Sequence, residues 1–147
     1  MKRKEKAVEA YRNGYNCAQS IITAFEDKLK HKKDILIEMA TGFGGGMGRL
    51  QQTCGAVTGA IMVLSLLNKN NAPDSKEKLN ENIQEFASRF DKEYGSLNCQ
   101  SLIPYNLSTE DGRNKAREEG IFENQCTQYV AKAVELVEEI LNESNKS

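Results

Sequence analysis

Gly42-Phe43-Gly44-Gly45-Gly46-Met47-Gly48-Arg49, followed closely by Thr53-Cys54-Gly55-Ala56-Val57-Thr58-Gly59-Ala60-Ile61-Met62-Val63-Leu64, is the stretch whose reading decides the fold. Glycines packed this densely have no place in a helix interior, because glycine loses the most backbone freedom on ordering. They predict a shaped loop. The residues after it are apolar nearly all round, which predicts the central, most buried helix, starting near Thr53. Its small residues allow neighbouring elements to approach its backbone closely.

Outward from this stretch the periodicity is helical on both sides. Lys4 to Asn13 carries Ala7, Val8, Ala10 and Tyr11 and ends at Gly14. A second helix starts at Cys17, with Ala18, Ile21, Ile22, Phe25 and Leu29 on one stripe of three- and four-residue spacing. A charged joint, Lys30 to Asp34, leads to a shorter helix from Ile35 to about Thr41. Beyond the central helix, Asn68 to Pro73 reads as a turn. Asp74 or Ser75 then caps an amphipathic helix with Leu79, Ile83, Phe86, Ala87, Phe90 and Tyr94 inside, stopped by Gly95. Asn98 to Leu102 reads as a short helical turn broken at Pro104. Ser108-Thr109-Glu110-Asp111 starts a polar helix that ends near Gly120. A last helix from about Asn124 to Asn142 buries Cys126, Tyr129, Val130, Ala133, Val134 and Val137, and the tail from about Glu143 is polar. Neither β-alternation, nor a fixed-period repeat, nor a linker interrupts this pattern. The expectation is an all-α, single-domain helical bundle over residues 1–147, with six to seven helices and a glycine-rich loop before the central one.

The chain has 147 residues, is 39% hydrophobic and 28% charged, and has a formal net charge of -1. A domain of this length buries roughly 70% of its extended-chain surface, so it needs no metal or disulfide merely to fold. The balanced charge gives no field for nucleic acid. The apolar run Ala60–Leu67 is too short to span a membrane. Lys2-Arg3-Lys4 is not followed by the apolar core of a signal peptide. These features point to a cytoplasmic protein, where thiols are kept reduced and any disulfide is transient or catalytic.

Four cysteines punctuate the chain, each just after a helix-capping type of residue: Asn16-Cys17, Thr53-Cys54, Asn98-Cys99 and Asn124-Gln125-Cys126. A cysteine after a cap sits at the positive end of a helix dipole, which favours the thiolate, the nucleophilic and metal-ligating form. The spacings of 37, 45 and 27 residues contain no C-x-x-C, so the commonest dithiol and zinc-knuckle patterns are absent. The bland alternative is strong, since free cysteine is a small, usually buried hydrophobe. Everything depends on whether the four meet in space. If they do, Cys17, Cys54, Cys99 and Cys126 have two roles open to them. They can exchange disulfides, or they can hold a metal ion or an iron–sulfur cluster.

Gly44, Gly45, Gly46, Gly48 and Arg49 form the candidate binding loop. Unobstructed amides make a nest for an anion, and Arg49 adds a charge; a tight helix connection with no ligand is the alternative. Neither a Walker loop nor a dinucleotide fingerprint is present. His31, the single histidine, lies in a solvated charge run, so Cys/His or Ser/His catalysis is not expected. Glu118-Glu119 and Glu138-Glu139 diverge on their helices and read as wet surface. The tyrosines, Tyr11 and Tyr15 among them, read as packing.

Together, Tyr15-Asn16-Cys17-Ala18-Gln19, the glycine loop through Arg49, Cys54-Gly55-Ala56-Val57-Thr58-Gly59-Ala60 and the single cysteines at 99 and 126 resemble a known family. It is the redox-active protein family named for its C_GCAxxG_C_C cysteine pattern. The resemblance runs from about Tyr11 to Leu141. It implies a small helical protein with four characteristic cysteines and a redox or metal role, without supplying a reaction. The chain departs from the literal signature: Thr53 precedes Cys54, Gly55 follows it, and Gly59 falls one place late.

The leading functional expectation is a cytoplasmic redox protein acting on a small molecule or a redox partner. Cys54 is its most reactive thiol, because a helix start, a glycine-lined approach and Arg49 coincide there. A metal or cluster protein is the second expectation, and a helical interaction protein with inert cysteines the third. No nucleic-acid or membrane partner is expected, and a homo-oligomer is open.

Overall fold

The computed structural model describes residues 1–68 and 73–145. Among the described residues are eight α-helices and no strand beyond one isolated antiparallel bridge, Thr53 to Asn98. They are α1 (Arg3–Arg12), α2 (Cys17–Ala24), α3 (Lys33–Met39), α4 (Gly55–Leu66), α5 (Pro73–Tyr94), α6 (Cys99–Leu102), α7 (Glu110–Glu118) and α8 (Thr127–Asn145). The all-α class is as expected. The helices exceed the expected six to seven because the Cys99–Leu102 turn closes as a helix of its own. The expected turn over Asn68–Pro73 falls on 69–72, outside the described residues.

α4 is the pivot. It packs against α2, α8 and α5, and α2 also packs on α1 and α3. Seven of its residues, Gly55, Ala56, Val57, Gly59, Ala60, Val63 and Leu64, are buried, so the all-round apolar pattern is a helix with neighbours on several sides. Its contact with α2 is backbone to backbone. A Cβ on Gly59 would lie 2.8 Å from Ala18 Cα and 2.9 Å from its carbonyl oxygen. A Cβ on Gly55 would lie 2.9 Å from Cys17 Cβ. The rest of the core comes from Ile21, Ile22 and Phe25, from Phe86 and Phe90 on α5, and from Val130, Val134 and Val137 on α8. Tyr94 meets Tyr129 edge-on with ring centroids 4.8 Å apart, which ties the end of α5 to α8.

Several boundaries differ from the sequence reading: α3 spans Lys33–Met39 rather than Ile35 to about Thr41, and α5 starts at Pro73, ahead of the cap expected at Asp74 or Ser75. α2 stops at Ala24 rather than running to Leu29, and a 3-10 turn at Glu26–Lys28 replaces its last turn. Phe25 and Leu29 stay buried through this tighter winding. α4 begins at Gly55, with Cys54 itself in the capping position instead of Thr53, which is engaged in the bridge to Asn98. α8 begins at Thr127, after a π-helical turn at Ile121–Cys126 that Gly120 starts with φ +71°.

The α2–α4 contact makes a direct prediction. Gly59→Ala should lower the stability of the fold by roughly 1–3 kcal/mol, the usual cost of forcing a methyl into a packed interior. Gly42→Ala, where an added Cβ meets nothing within 4 Å, should leave it nearly unchanged. Denaturant unfolding of the two variants side by side checks this; equal midpoints would show that the backbone contact is not tight.

Candidate functional site

Each cysteine reaches one cavity from a different element. Cys17 opens α2. Asn16 caps that helix, its side chain accepting from the Gln19 amide at 2.9 Å while the Gln19 side chain accepts from the Asn16 amide at 3.0 Å. The Asn16 amide group also donates to the carbonyls of Ala40 and Thr41 at 3.0 and 3.1 Å, so the cap clamps the start of the glycine loop beside Cys17. This is the one place where the cap-then-cysteine pattern works through the side chain. Asn98 makes no such bond at α6. Cys126 ends the π-helical turn rather than following a cap.

The glycine loop is wound left-handed. Gly45, Gly46, Met47, Gly48 and Arg49 all have φ between +59° and +68°, and Gln51 follows at +57°. Its non-glycine members each cost roughly 1–2 kcal/mol in this conformation. The loop is closed by its own backbone: Gly48 donates to Gly42, Arg49 to Gly44 and Gln52 to Gly46, at 2.7, 3.2 and 2.9 Å. The amides of Gly48 and Arg49 are therefore spent inside the loop, which narrows the anion nest expected there. Close packing is the stronger reason for glycine. A Cβ on Gly46 would lie 2.7 Å from Gln51 Cα and 2.8 Å from Cys99 Cβ. The Cys99 amide donates to Gln52 at 2.7 Å and the Cys54 amide to Leu97 at 2.8 Å, so loop, α4 start and α6 start are stitched together.

Gln51 completes that stitching. Its buried side chain donates to the Tyr105 carbonyl at 2.9 Å and accepts from the Leu107 amide at 2.9 Å. Sequence reading passed over this residue, since nothing in its neighbours announces a buried glutamine. Tyr11 packs against the core, as expected, and also lines the cavity beside the cysteines.

The cavity these elements enclose has a volume of about 860 Å³. Cys17, Cys54, Cys99 and Cys126 all line it, as do Gly44, Gly45, Gly46, Gly48 and Arg49. Cys54, Cys99 and Cys126 are buried and Cys17 is half-buried. None of the four is in a disulfide. His31 is exposed and does not line the cavity. Among the described residues no three of the cysteine, histidine, aspartate and glutamate side chains are grouped so as to hold a metal ion.

The four thiols are electrostatically unequal. The Cys17 thiol interacts with the Cys126 sulfur and, against the opposing effect of burial, holds the Cys126 thiolate below the ordinary cysteine range, with the Tyr11 hydroxyl adding to the effect. Cys17 is correspondingly pushed up, first by that same interaction and then by burial. Burial also raises Tyr11, and the charges of Cys17 and Cys126 add to it. Cys54 is pushed up to about 12 by burial, although the Ala56 and Val57 amides pull the other way. Cys99 is pushed up to about 11 by burial and the Cys126 charge, with Gln51 opposing. The helix start at Cys54 is thus real, but desolvation outweighs it, and the thiolate is favoured at Cys126 instead.

The chain matches the family described as "Putative redox-active protein (C_GCAxxG_C_C)" over residues 15–140. It belongs to that family. The matched span contains all four cysteines and the whole glycine loop. An uncharacterized protein of Archaeoglobus fulgidus is 26% identical, with 92% of this chain and 90% of the archaeal protein aligned. No solved structure matches. Among the described residues no helix is long and apolar enough to cross a membrane.

The electrostatic order predicts an order of labelling. With limiting iodoacetamide near neutral pH, Cys126 should carry label before Cys17, Cys54 or Cys99. Its rate should reach half-maximum below about 8.5, the ordinary thiol value. Peptide mapping after timed quenching reads the order; Cys54 labelling first would contradict it.

Proposed function

We propose that this protein carries out thiol–disulfide exchange with Cys126 as nucleophile and Cys17 as resolving thiol. One observation carries the reading: Cys17 and Cys126, about a hundred residues apart in sequence, line one cavity with Tyr11, and their interaction lowers Cys126 while it raises Cys17, in a space large enough for a small molecule. A thiol beside a thiolate is the starting state that exchange requires.

In the forward direction the Cys126 thiolate attacks one sulfur of a disulfide RSSR. A Cys126–S–SR bond forms, the RS–SR bond breaks, and RS⁻ leaves. Cys17 gives its proton to that leaving group. The Cys17 sulfur then attacks Cys126, forming the Cys17–Cys126 disulfide and releasing the second thiolate, which takes a proton from water. Two protein thiols are oxidised and one disulfide is reduced to two thiols. Tyr11 favours the attacking thiolate by donating to it. Cys54 and Cys99, held neutral by burial, shape the wall of the site. A reducing compartment such as the cytoplasm would return the pair to the dithiol.

Exposure of the reduced protein to hydroxyethyl disulfide should yield one intramolecular bridge, Cys17–Cys126, by peptide mapping. Cys17→Ala should stop the reaction at a mixed disulfide on Cys126. A mixed disulfide on Cys54, or a protein that resists oxidation and carries metal or iron–sulfur absorption when purified anaerobically, would overturn the proposal.

A further inference from the structure

The charged residues lining the cavity are Arg12, Arg49, Arg113, Arg117 and Glu123, which leaves it positive by three charges. The chain as a whole has a net charge of -1, so this concentration does not follow from bulk composition. Glu123 is already answered by Arg12 at 2.8 Å. The other three arginines make no ion pair among the described residues. Arg113 donates one N–H to the Leu107 carbonyl at 3.0 Å, and Arg117 donates one to the Asn114 side-chain oxygen at 3.0 Å. Both acceptors are neutral. They orient the guanidinium groups and leave the charges and further donors unspent.

The arrangement of exposure gives this charge a direction. Arg49 and Arg117 are exposed, so they mark the side on which the cavity opens to solvent, while Cys54, Cys99 and Cys126 form its buried wall. Arg49 is held there in a left-handed conformation, φ +62°, that glycine would adopt without strain. The loop keeps an arginine at the opening at a conformational cost of roughly 1–2 kcal/mol.

Resting on the exchange reading above, we propose that the cavity takes a low-molecular-weight disulfide or thiol bearing two or more negative charges. Arg49, Arg113 and Arg117 hold its carboxylate or phosphate groups, and its sulfur is directed inward to Cys126. A guanidinium fork binds either oxyanion in the same bidentate way. A cavity of about 860 Å³ has room for such a molecule.

The test uses redox-inert anions, so that binding is read independently of exchange. Calorimetric titration of the reduced protein with S-methylglutathione supplies the carboxylate arm. Adenosine 3′,5′-bisphosphate supplies the phosphate arm. At least one should bind with submillimolar affinity at low salt. The affinity should fall about tenfold or more in an R113Q/R117Q variant and again in R49Q, as expected for lost charge-assisted hydrogen bonds. It should also weaken as salt rises towards 0.5 M. Cystamine, a cationic disulfide, should be reduced more slowly by the wild-type protein than glutathione disulfide. Circular dichroism verifies that the variants fold. If neither anion binds, or if binding ignores both the arginine substitutions and salt, the inference is overturned even where the Cys17–Cys126 bridge forms. Anion binding with no bridge would instead sink the exchange reading and retain the arginine site.

Discussion

The structure depends on one close contact: the backbone of α4 lying against the backbone of α2. Gly55 and Gly59 make it possible, because an added Cβ at either would come within 3 Å of α2. The contact places Cys17, at the start of α2, beside the start of α4, where Cys54 occupies the capping position. The capping box at Asn16 and Gln19 then fixes the α2 terminus from the other side and holds the first residues of the glycine loop. Without that approach the helix starts would splay, and the cysteines would be isolated hydrophobes.

From this contact the site is built by closure rather than by a local motif. The left-handed loop returns the chain to α6, whose Cys99 packs on Gly46. The π-helical turn adds a residue to the winding just before α8 and brings Cys126 to the cavity. The resulting chemistry reflects a competition between helix dipole and desolvation. Dipole and amide interactions at Cys54 favour a thiolate, but burial dominates and its proton is retained. At Cys126 a neighbouring thiol and a phenol overcome burial, and the balance reverses. Burial thus raises Cys54 and Cys99, while the interaction with Cys17 lowers Cys126.

Much of this was legible in the sequence, and the limits are physical. Helical periodicity located α1, α2, α4, α5 and α8, and the small residues of α4 signalled a central helix with close neighbours. The glycine run announced a loop, because no helix interior tolerates it. The cap rule succeeded at Asn16, where the neighbouring Gln19 completes a capping box, and missed at Thr53 and Asn98, whose backbones are drawn into pairing with each other. The π-helical turn was illegible because it changes the winding without changing the apolar pattern. The favouring of Cys126 over Cys54 was illegible for another reason: the deciding groups, Tyr11 and Cys17, lie over a hundred residues from Cys126. Gln51, Arg113 and Arg117 are likewise defined by tertiary proximity alone.

The central claim is that the interaction with Cys17 favours the thiolate at Cys126. Carbon-13 labelling of the cysteine Cβ atoms, with resonances assigned by single substitutions, allows each thiol to be followed through a pH titration by nuclear magnetic resonance. The first ionisation should appear at Cys126, below the ordinary cysteine range of about 8.5. Cys17 should keep its proton well above that range, and Cys54 and Cys99 should titrate only in strong alkali. Four independent ionisations near the ordinary value, or a first ionisation at Cys54, would contradict the account.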